Sequence, residues 1–277
     1  MRQLGCSLSS VKEMAGKKVV IKYGGSAMTS ESLKTKVLND ILFLLSYGIK
    51  PILVHGGGPI INKWLQRLNI KPRFQNGIRL TDRSTMEVVE MVLVGKVNKN
   101  LVSLLNKDNC FAIGLSGKDG GLIHASPLFN SSENFAGKIE GINPEIMILL
   151  LEAGYIPVIA SVAAGINSQS YNINADTVAG AIAKSLNAEK LILLTDTLGI
   201  MSDTDDPNTL IKNLSSSQAL KLKEQNIISG GMIPKVDCCL DALQFGVESA
   251  HIIDGRLEHS LILELFTLNR VGSMLTI

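Results

Sequence analysis

Short apolar, β-branched runs alternate with stretches of helical period along most of the chain. Val19, Val20 and Ile21 predict a strand. From Ser30 to Tyr47, Leu33, Val37, Ile41, Leu42 and Leu45 share one helical face, and Gly48 closes the helix. Ile52 to Val54 restarts the cycle. Past three glycines, Pro59 suits a first helical position, and Ile60, Ile61, Trp64, Leu65 and Leu68 supply the buried stripe. In "RFQNGIRL" the pair Asn76-Gly77 predicts a tight hairpin, because both residues tolerate positive φ. Ser84 and Glu87 read as a capping box opening a long helix to about Asn106. Further strands are predicted at Phe111 to Gly114, Ile156 to Ala160, Leu191 to Leu194 and Ala250 to Ile253. Helices are predicted from Asn143 and Pro144 to Gly154, and from Ala175 to Leu186.

Apolar strands without a period of two, separated by helices, imply an α/β fold: a mainly parallel open sheet covered on both faces, in three αβα layers. Ligands of such sheets collect at the carboxyl ends of the strands. The natural internal boundary falls between Leu186 and Leu191. This divides the chain into an extension over residues 1–16 and two lobes, 17–187 and 188–277, that share one sheet, with the polar segment Ser202 to Asn213 as an excursion.

Composition narrows this little. The chain of 277 residues is 45% apolar and 19% charged, enough to bury a large core. A net charge of +2, with no basic block and few aromatics, argues against nucleic acid and against a polybasic membrane anchor. The most apolar stretch, Ile146 to Ile166, is cut by Glu152, Gly154 and Pro157, so no membrane helix is expected, and the opening residues resemble no signal peptide. Cys6, Cys110, Cys238 and Cys239 lack CxxC spacing, and His124, His251 and His259 show no paired metal spacing. The cysteines are expected to be reduced thiols, which suits the cytoplasm or an equivalent compartment such as the plastid stroma, and no protein metal site is expected.

The candidate chemistry lies where strands end in glycine. "KYGGSAM" and "VHGGGPI" place Gly24, Gly25, Gly56, Gly57 and Gly58 after two early strands, where backbone amides can approach a phosphate closely. Neither is a Walker loop, and no GxGxxG occurs. Lys22 stands where the first strand should still be apolar. Lys235, in "SGGMIPK", opposes the dipole at a helix start opened by Pro234. Two such cations on opposite sides of a transferring phosphoryl would offset its charge. Asp176 in "YNINAD" suits either a helix cap or a carboxylate holding both lysines. Arg79 offers a planar fork for a carboxylate and Asn172 a further donor, while His55 is better placed to orient its loop than to act as a base.

Together "KYGGSAM", "HGGGPII", "NGIRLTDRSTMEVVEMVLVGKVNK", "GLSGKDG", "YNINADTVAGAIA", "LLTDTLGI", "GGMIPKV" and "HIIDGRLEHSLILELFT" closely resemble the acetylglutamate-phosphorylating branch of the amino acid kinase family, from about Lys17 to the end. The resemblance implies an N-terminal acetylglutamate lobe and a C-terminal ATP lobe. Lys22 and Lys235 would stabilise the phosphoryl, Asp176 would organise them, and Gly24, Gly25, Gly57 and Gly58 would hold phosphate. Arg79 and Asn172 match substrate-binding positions, and Thr195, Asp196, Gly231 and Met232 match nucleotide-side positions. ATP would carry a magnesium ion, and the product would be the 5-phosphate, in the second step of arginine biosynthesis. A homodimer through the N-terminal lobe is implied. A hexamer and a docked nitrogen-signalling protein stay open, as does a non-catalytic arginine or nitrogen-status sensor on the same fold. His259 and Glu264 are the effector candidates. Leu4, Leu8, Val11 and Met14 are the stripe of a regulatory N-terminal helix, but Arg270 replaces a loop glycine typical of arginine-inhibited members.

Overall fold

The computed structural model describes residues 8–28, 30–75, 77–108 and 111–277, so Leu4, Cys6, Asn76 and Cys110 lie outside it. Its strands are β1 (Lys18–Tyr23), β2 (Lys50–His55), β3 (Arg73–Gln75), β4 (Ile78–Leu80), β5 (Ala112–Ser116), β6 (Ile123–Pro127) and β7 (Gly137–Ile142). They continue with β8 (Ile156–Ala160), β9 (Val162–Ala164), β10 (Ser170–Asn172), β11 (Lys190–Thr195), β12 (Asn213–Ser215), β13 (Ser249–Asp254) and β14 (Ser273–Thr276). The helices are α1 (Leu8–Glu13), α2 (Glu31–Ser46), α3 (Gly58–Arg67), α4 (Arg83–Glu90), α5 (Asn98–Leu105), α6 (Glu145–Glu152), α7 (Ala175–Ser185), α8 (Ser216–Glu224), α9 (Ile233–Gln244) and α10 (Ser260–Phe266).

The central sheet has 8 strands in the order β12-β14-β13-β11-β1-β2-β8-β5. From β13 to β5 all neighbours run parallel; β14 joins antiparallel to β13, and β12 lies parallel to β14. Buried parallel strands need helices on both faces, and two core clusters supply them. One packs Val19, Ile21, Leu53 and Val158 against α2, α5 and α10. The other packs Val20, Ile52, Ile159 and Leu193 against α6, α7 and α9. Strand alternation therefore puts Lys22, two residues after Val20, on the face covered by α7 and α9. Among the described residues no helix is long and apolar enough to cross a membrane.

Local signals explain most elements. Ser30 caps α2 by accepting from Leu33 N, and Gly48, at φ 76°, takes the left-handed conformation that ends it. The β3–β4 hairpin pairs Gln75 with Ile78, and Gly77 lies at φ 78°. The predicted capping box at Ser84 is corrected: the N-cap is Asp82, whose Oδ1 accepts from Thr85 N at 2.8 Å, and Ser84 is exposed in the first turn. The long helix does reach Leu105, but through a π-helical stretch, Met91–Val97, between α4 and α5. A second sheet, β10-β9-β6-β7, was not expected, because strands such as "SYN" and "VAA" are too short to show a period. The described part of the N-terminal stripe, Val11 and Met14, is buried in the chain's own core.

Leu53 is fully buried in a central strand, so Leu53→Ala is expected to cost about 3 kcal/mol in urea unfolding. Asp82→Ala should cost about 1 kcal/mol and Ser84→Ala less than about 0.5 kcal/mol. Equal costs at the two positions would contradict the Asp82 cap.

Candidate active site

β1 and β2 pair in register, with Tyr23 opposite His55, so both glycine turns leave the same edge of the sheet side by side. Gly24 and Gly25 have different structural reasons. A Cβ on Gly24 would lie 2.9 Å from Lys22 Nζ, so the glycine makes room for the lysine to fold over its own turn. Gly25 sits at φ 74°, beside the Asp196 carboxylate. In the second turn, a Cβ on Gly57 would come within 2.7 Å of Leu93 in the π-helical stretch, and one on Gly56 within 3.4 Å of Ala175. The loop is thus pressed between that stretch and the start of α7.

Asn174 caps α7, its Oδ1 accepting from Asp176 N at 2.7 Å and, more distantly, from Thr177 N. The Asp176 carboxylate is therefore free of capping. Its Oδ2 accepts from Lys235 Nζ at 2.9 Å, and its Oδ1 lies 2.9 Å from Lys22 Nζ in an ion pair that is not a well-directed hydrogen bond. Lys22 is 8% and Asp176 6% exposed. Burial pushes the Asp176 carboxyl up, but the charges of Lys22 and Lys235 outweigh it and hold the group below its ordinary value. Lys235 enters from the first turn of α9, after Pro234. The cluster carries two cations and one anion, so it has a net positive charge in a poorly hydrated place.

On one side of this cluster, Thr195, Asp196, Gly231, Met232 and Lys235 line a cavity of about 260 Å³ at the carboxyl end of β11. Thr197, not singled out in the sequence, lines it too, and its buried Oγ1 has no hydrogen-bond partner among the described residues. On the other side, Arg79 is 7% exposed and lies over the Phe74 ring at 4.7 Å. Its Nη2 donates to Asn62 Oδ1 at 2.7 Å and, at 3.4 Å, to Gly58 O. Nη1 is buried with no partner among the described residues. Burial lowers the guanidinium pKa, and among the described residues no carboxylate compensates its charge. Asn172 Nδ2 donates to Thr81 Oγ1 at 3.1 Å, and Thr81 Oγ1 donates to Arg79 O at 2.9 Å, so hairpin and second sheet are tied together here. Asn62 and Thr81 were also missed: polar residues on a helix face or after a strand carry no periodic signal.

His55 is fully buried, and its Nδ1 lies 3.0 Å from Gly56 O. Burial drops its pKa to about 4, so the ring is neutral and unsuited to act as a base at pH 7. The effector candidates are not brought together. His259 Nδ1 meets Asp40 Oδ1 at 2.7 Å, whereas Glu264 meets His251 Nδ1 at 2.8 Å and accepts from Val271 N and Gly272 N. A larger cavity, about 380 Å³ and bordered by Lys34, Trp64 and Lys96, touches none of Lys22, Asp176 or Lys235. The smaller one, which shares Lys235, is the one joined to the charged cluster.

A parallel sheet with paired glycine turns, a buried and a half-buried lysine on one carboxylate and a buried arginine at one edge defines a protein that handles phosphate and carboxylate. The sequence profile of the amino acid kinase family matches residues 17–254, and the chain belongs to that family. An acetylglutamate kinase from Gracilaria tenuistipitata var. liui is 60% identical, covering 99% of this chain and 96% of its own. One from Thermosynechococcus vestitus is 54% identical, over 99% and 93%. Among solved structures, an N-acetylglutamate synthase from Neisseria gonorrhoeae shares the fold at a TM-score of 0.86 and 24% identity, over 97% of this chain and 61% of its own.

His55 has a pKa near 6.5 when unfolded and about 4 when folded, so protonation favours unfolding. Its contribution is complete above pH 6.5 and is lost as pH falls towards 4, by up to about 3 kcal/mol. Urea unfolding of wild type and His55→Asn over this range should show the wild type losing more; parallel curves would contradict the buried neutral ring.

Proposed function

We propose that this chain transfers the γ-phosphoryl group of ATP to the side-chain carboxylate of N-acetyl-L-glutamate, giving N-acetyl-L-glutamyl 5-phosphate and ADP in the second step of arginine biosynthesis. The observation that carries the reading is the convergence of Lys22 and Lys235 on the two oxygens of Asp176, beside both glycine turns. The names of the relatives at 60% and 54% identity agree with it.

In this reading ATP occupies the cavity bordered by Thr195, Asp196, Gly231 and Met232, and its γ-phosphate reaches Lys235. Acetylglutamate lies on the side of Gly57, Gly58, Arg79 and Asn172, with its α-carboxylate on the unpartnered Nη1 of Arg79. The acceptor carboxylate is already ionised at neutral pH, so its oxygen bonds to phosphorus without a base while the bond to the β–γ bridging oxygen breaks. Lys22 and Lys235 offset charge on the oxygens in flight, and the amides of Gly24, Gly25, Gly57 and Gly58 direct them. Asp176 fixes both ammonium groups in advance. A magnesium ion entering with ATP would offset phosphate charge beside Lys22 and Lys235. Among the described residues no three His, Cys, Asp or Glu side chains form a ligand set. A non-catalytic sensor has no observation in its favour, since the whole cluster is in place.

The lobes follow this division: residues 17–187 for acetylglutamate and 188–277 for ATP, after an extension over 1–16. Strands β11 to β14 all come from the second segment, which supports it. The assembly is a homodimer through the N-terminal lobe, supported by the single-neighbour edge strand β5 and by Phe111, 58% exposed, beside it. Sedimentation equilibrium giving only the 29.8 kDa chain would overturn that. The compartment is the cytoplasm, or the stroma in a plastid-bearing organism, which cell fractionation would check.

Coupled ADP release with acetylglutamate, glutamate, aspartate and carbamate as acceptors tests the activity, and no turnover with acetylglutamate would sink it. Lys22→Ala and Lys235→Ala should each lower kcat on the order of a hundredfold or more. Arg79→Met should raise the KM for acetylglutamate on the order of tenfold or more, with the KM for ATP little changed.

A further inference from the structure

Asn98, the first residue of α5, is fully buried next to the glycine loop but touches none of the groups assigned above to either substrate. Its Nδ2 donates to Val158 O at 2.8 Å and points to His55 Nε2 at 3.1 Å, with a longer contact to Leu115 O. A backbone carbonyl can only accept, so Val158 O settles which end of the Asn98 amide faces the strand. The amide nitrogen can only donate, so His55 Nε2 must accept, and the single ring proton resides on Nδ1. From there it is donated to Gly56 O, 3.0 Å away.

The peptide joining Gly56 to Gly57 is planar and trans, so its C=O and N–H point in opposite directions. Holding Gly56 O against the buried His55 ring turns the Gly57 N–H away from that ring. The arrangement has a stability cost: Asn98 Oδ1 is buried without a partner among the described residues, an unsatisfied acceptor of the kind worth about 1–3 kcal/mol. It also constrains a neighbour. A Cβ on Gly114 would fall 1.9 Å from Asn98 Oδ1, so β5 carries glycine there to admit the amide.

We propose that Asn98 is a positioning residue for the phosphate-facing loop: by fixing the tautomer of His55 it orients the Gly56–Gly57 peptide, so that the Gly57 amide is presented to the transferring phosphoryl. This rests on the phosphotransfer reading above. Asn98 acts only through His55, and it shapes the transition state rather than the affinity for either substrate.

The test is a double-mutant cycle in the full chain, joined to a spectroscopic readout that needs no turnover. Asn98→Leu keeps the shape of the amide and removes its donor. It should lower kcat on the order of tenfold to a hundredfold, with the KM for acetylglutamate unchanged within about twofold. His55→Asn places a donor nitrogen near the position of Nδ1 and so supplies Gly56 O without a tautomer to fix. On that background Asn98→Leu should change kcat by less than about twofold. Ring nitrogen-15 spectra of the wild type, with the His55 signals assigned by comparison with His55→Asn, should show the Nδ1–H form, and Asn98→Leu should lose it. Should Asn98→Leu not fold, Gly114→Ala pushes on Asn98 Oδ1 and displaces the amide without removing its Nδ2 donor, and it should give the same fall in kcat. An Nε2–H ring in the wild type overturns the proposal, as does an Asn98→Leu kcat within about twofold of wild type, or an equal penalty on the His55→Asn background. Absent acetylglutamate turnover in the wild type would instead count against the phosphotransfer reading, which the ring spectra do not depend on.

Discussion

One carboxylate holds the chemistry of this protein together. Asp176 gives each of its oxygens to an ammonium group arriving from a different element, Lys22 at the end of β1 and Lys235 in the first turn of α9. Neither lysine could be held this deep by its own element. Lys22 continues a buried strand, and Lys235 stands at the electropositive end of a helix, where a cation is unfavourable. Asp176 offsets both, and it can do so because Asn174 takes over the capping of α7.

Buried ion clusters are weak contributors to stability, because desolvation cancels much of the attraction. The cluster is also incomplete by one negative charge, and Arg79 adds a further uncompensated cation on the acceptor side. The two half-sites thus share a demand for anions that the protein itself does not satisfy. That unfilled demand suits a reaction in which a triphosphate and a dicarboxylate meet between two lysines: their charge replaces what the fold leaves out, and the donors are already oriented before substrate arrives.

The glycines around this edge show how much one residue type can conceal. Gly24 makes space for Lys22, Gly25 adopts a left-handed backbone conformation, Gly57 admits Leu93, and Gly114, on a different strand, admits Asn98. All four are indistinguishable in the sequence. Gly57 and Gly114 are set apart by atoms of other segments that lie within 3 Å of the missing side chain, Gly24 by the lysine two residues before it, and Gly25 by its backbone angle. The same reason explains the errors of local reading. Ser84 and Glu87 match a capping box, yet Asp82 begins the helix because the hairpin before it delivers Asp82 in an extended conformation with its carboxylate over Thr85 N.

By itself the sequence determined the alternation of strands and helices, the parallel sheet with two covered faces, and the carboxyl edge where the glycines cluster. These follow from hydrophobic period and turn chemistry, which act between residues a few positions apart. It also marked Lys22 and Lys235, each a cation against a local rule, one in a strand and one at a helix start, and offered Asp176, suited to a cap or an ion pair, and Arg79, a planar fork in a hairpin, as candidates. Only the tertiary structure decided that the first three meet, that Arg79 keeps an unpaired nitrogen, and that His259 and Glu264 belong to separate networks with Asp40 and His251. It alone exposed the short strands of the second sheet and the Asn98–His55 relay. Such features depend on contacts between elements distant in the chain, and a buried asparagine or a three-residue strand leaves no periodic trace of the partner that makes it necessary.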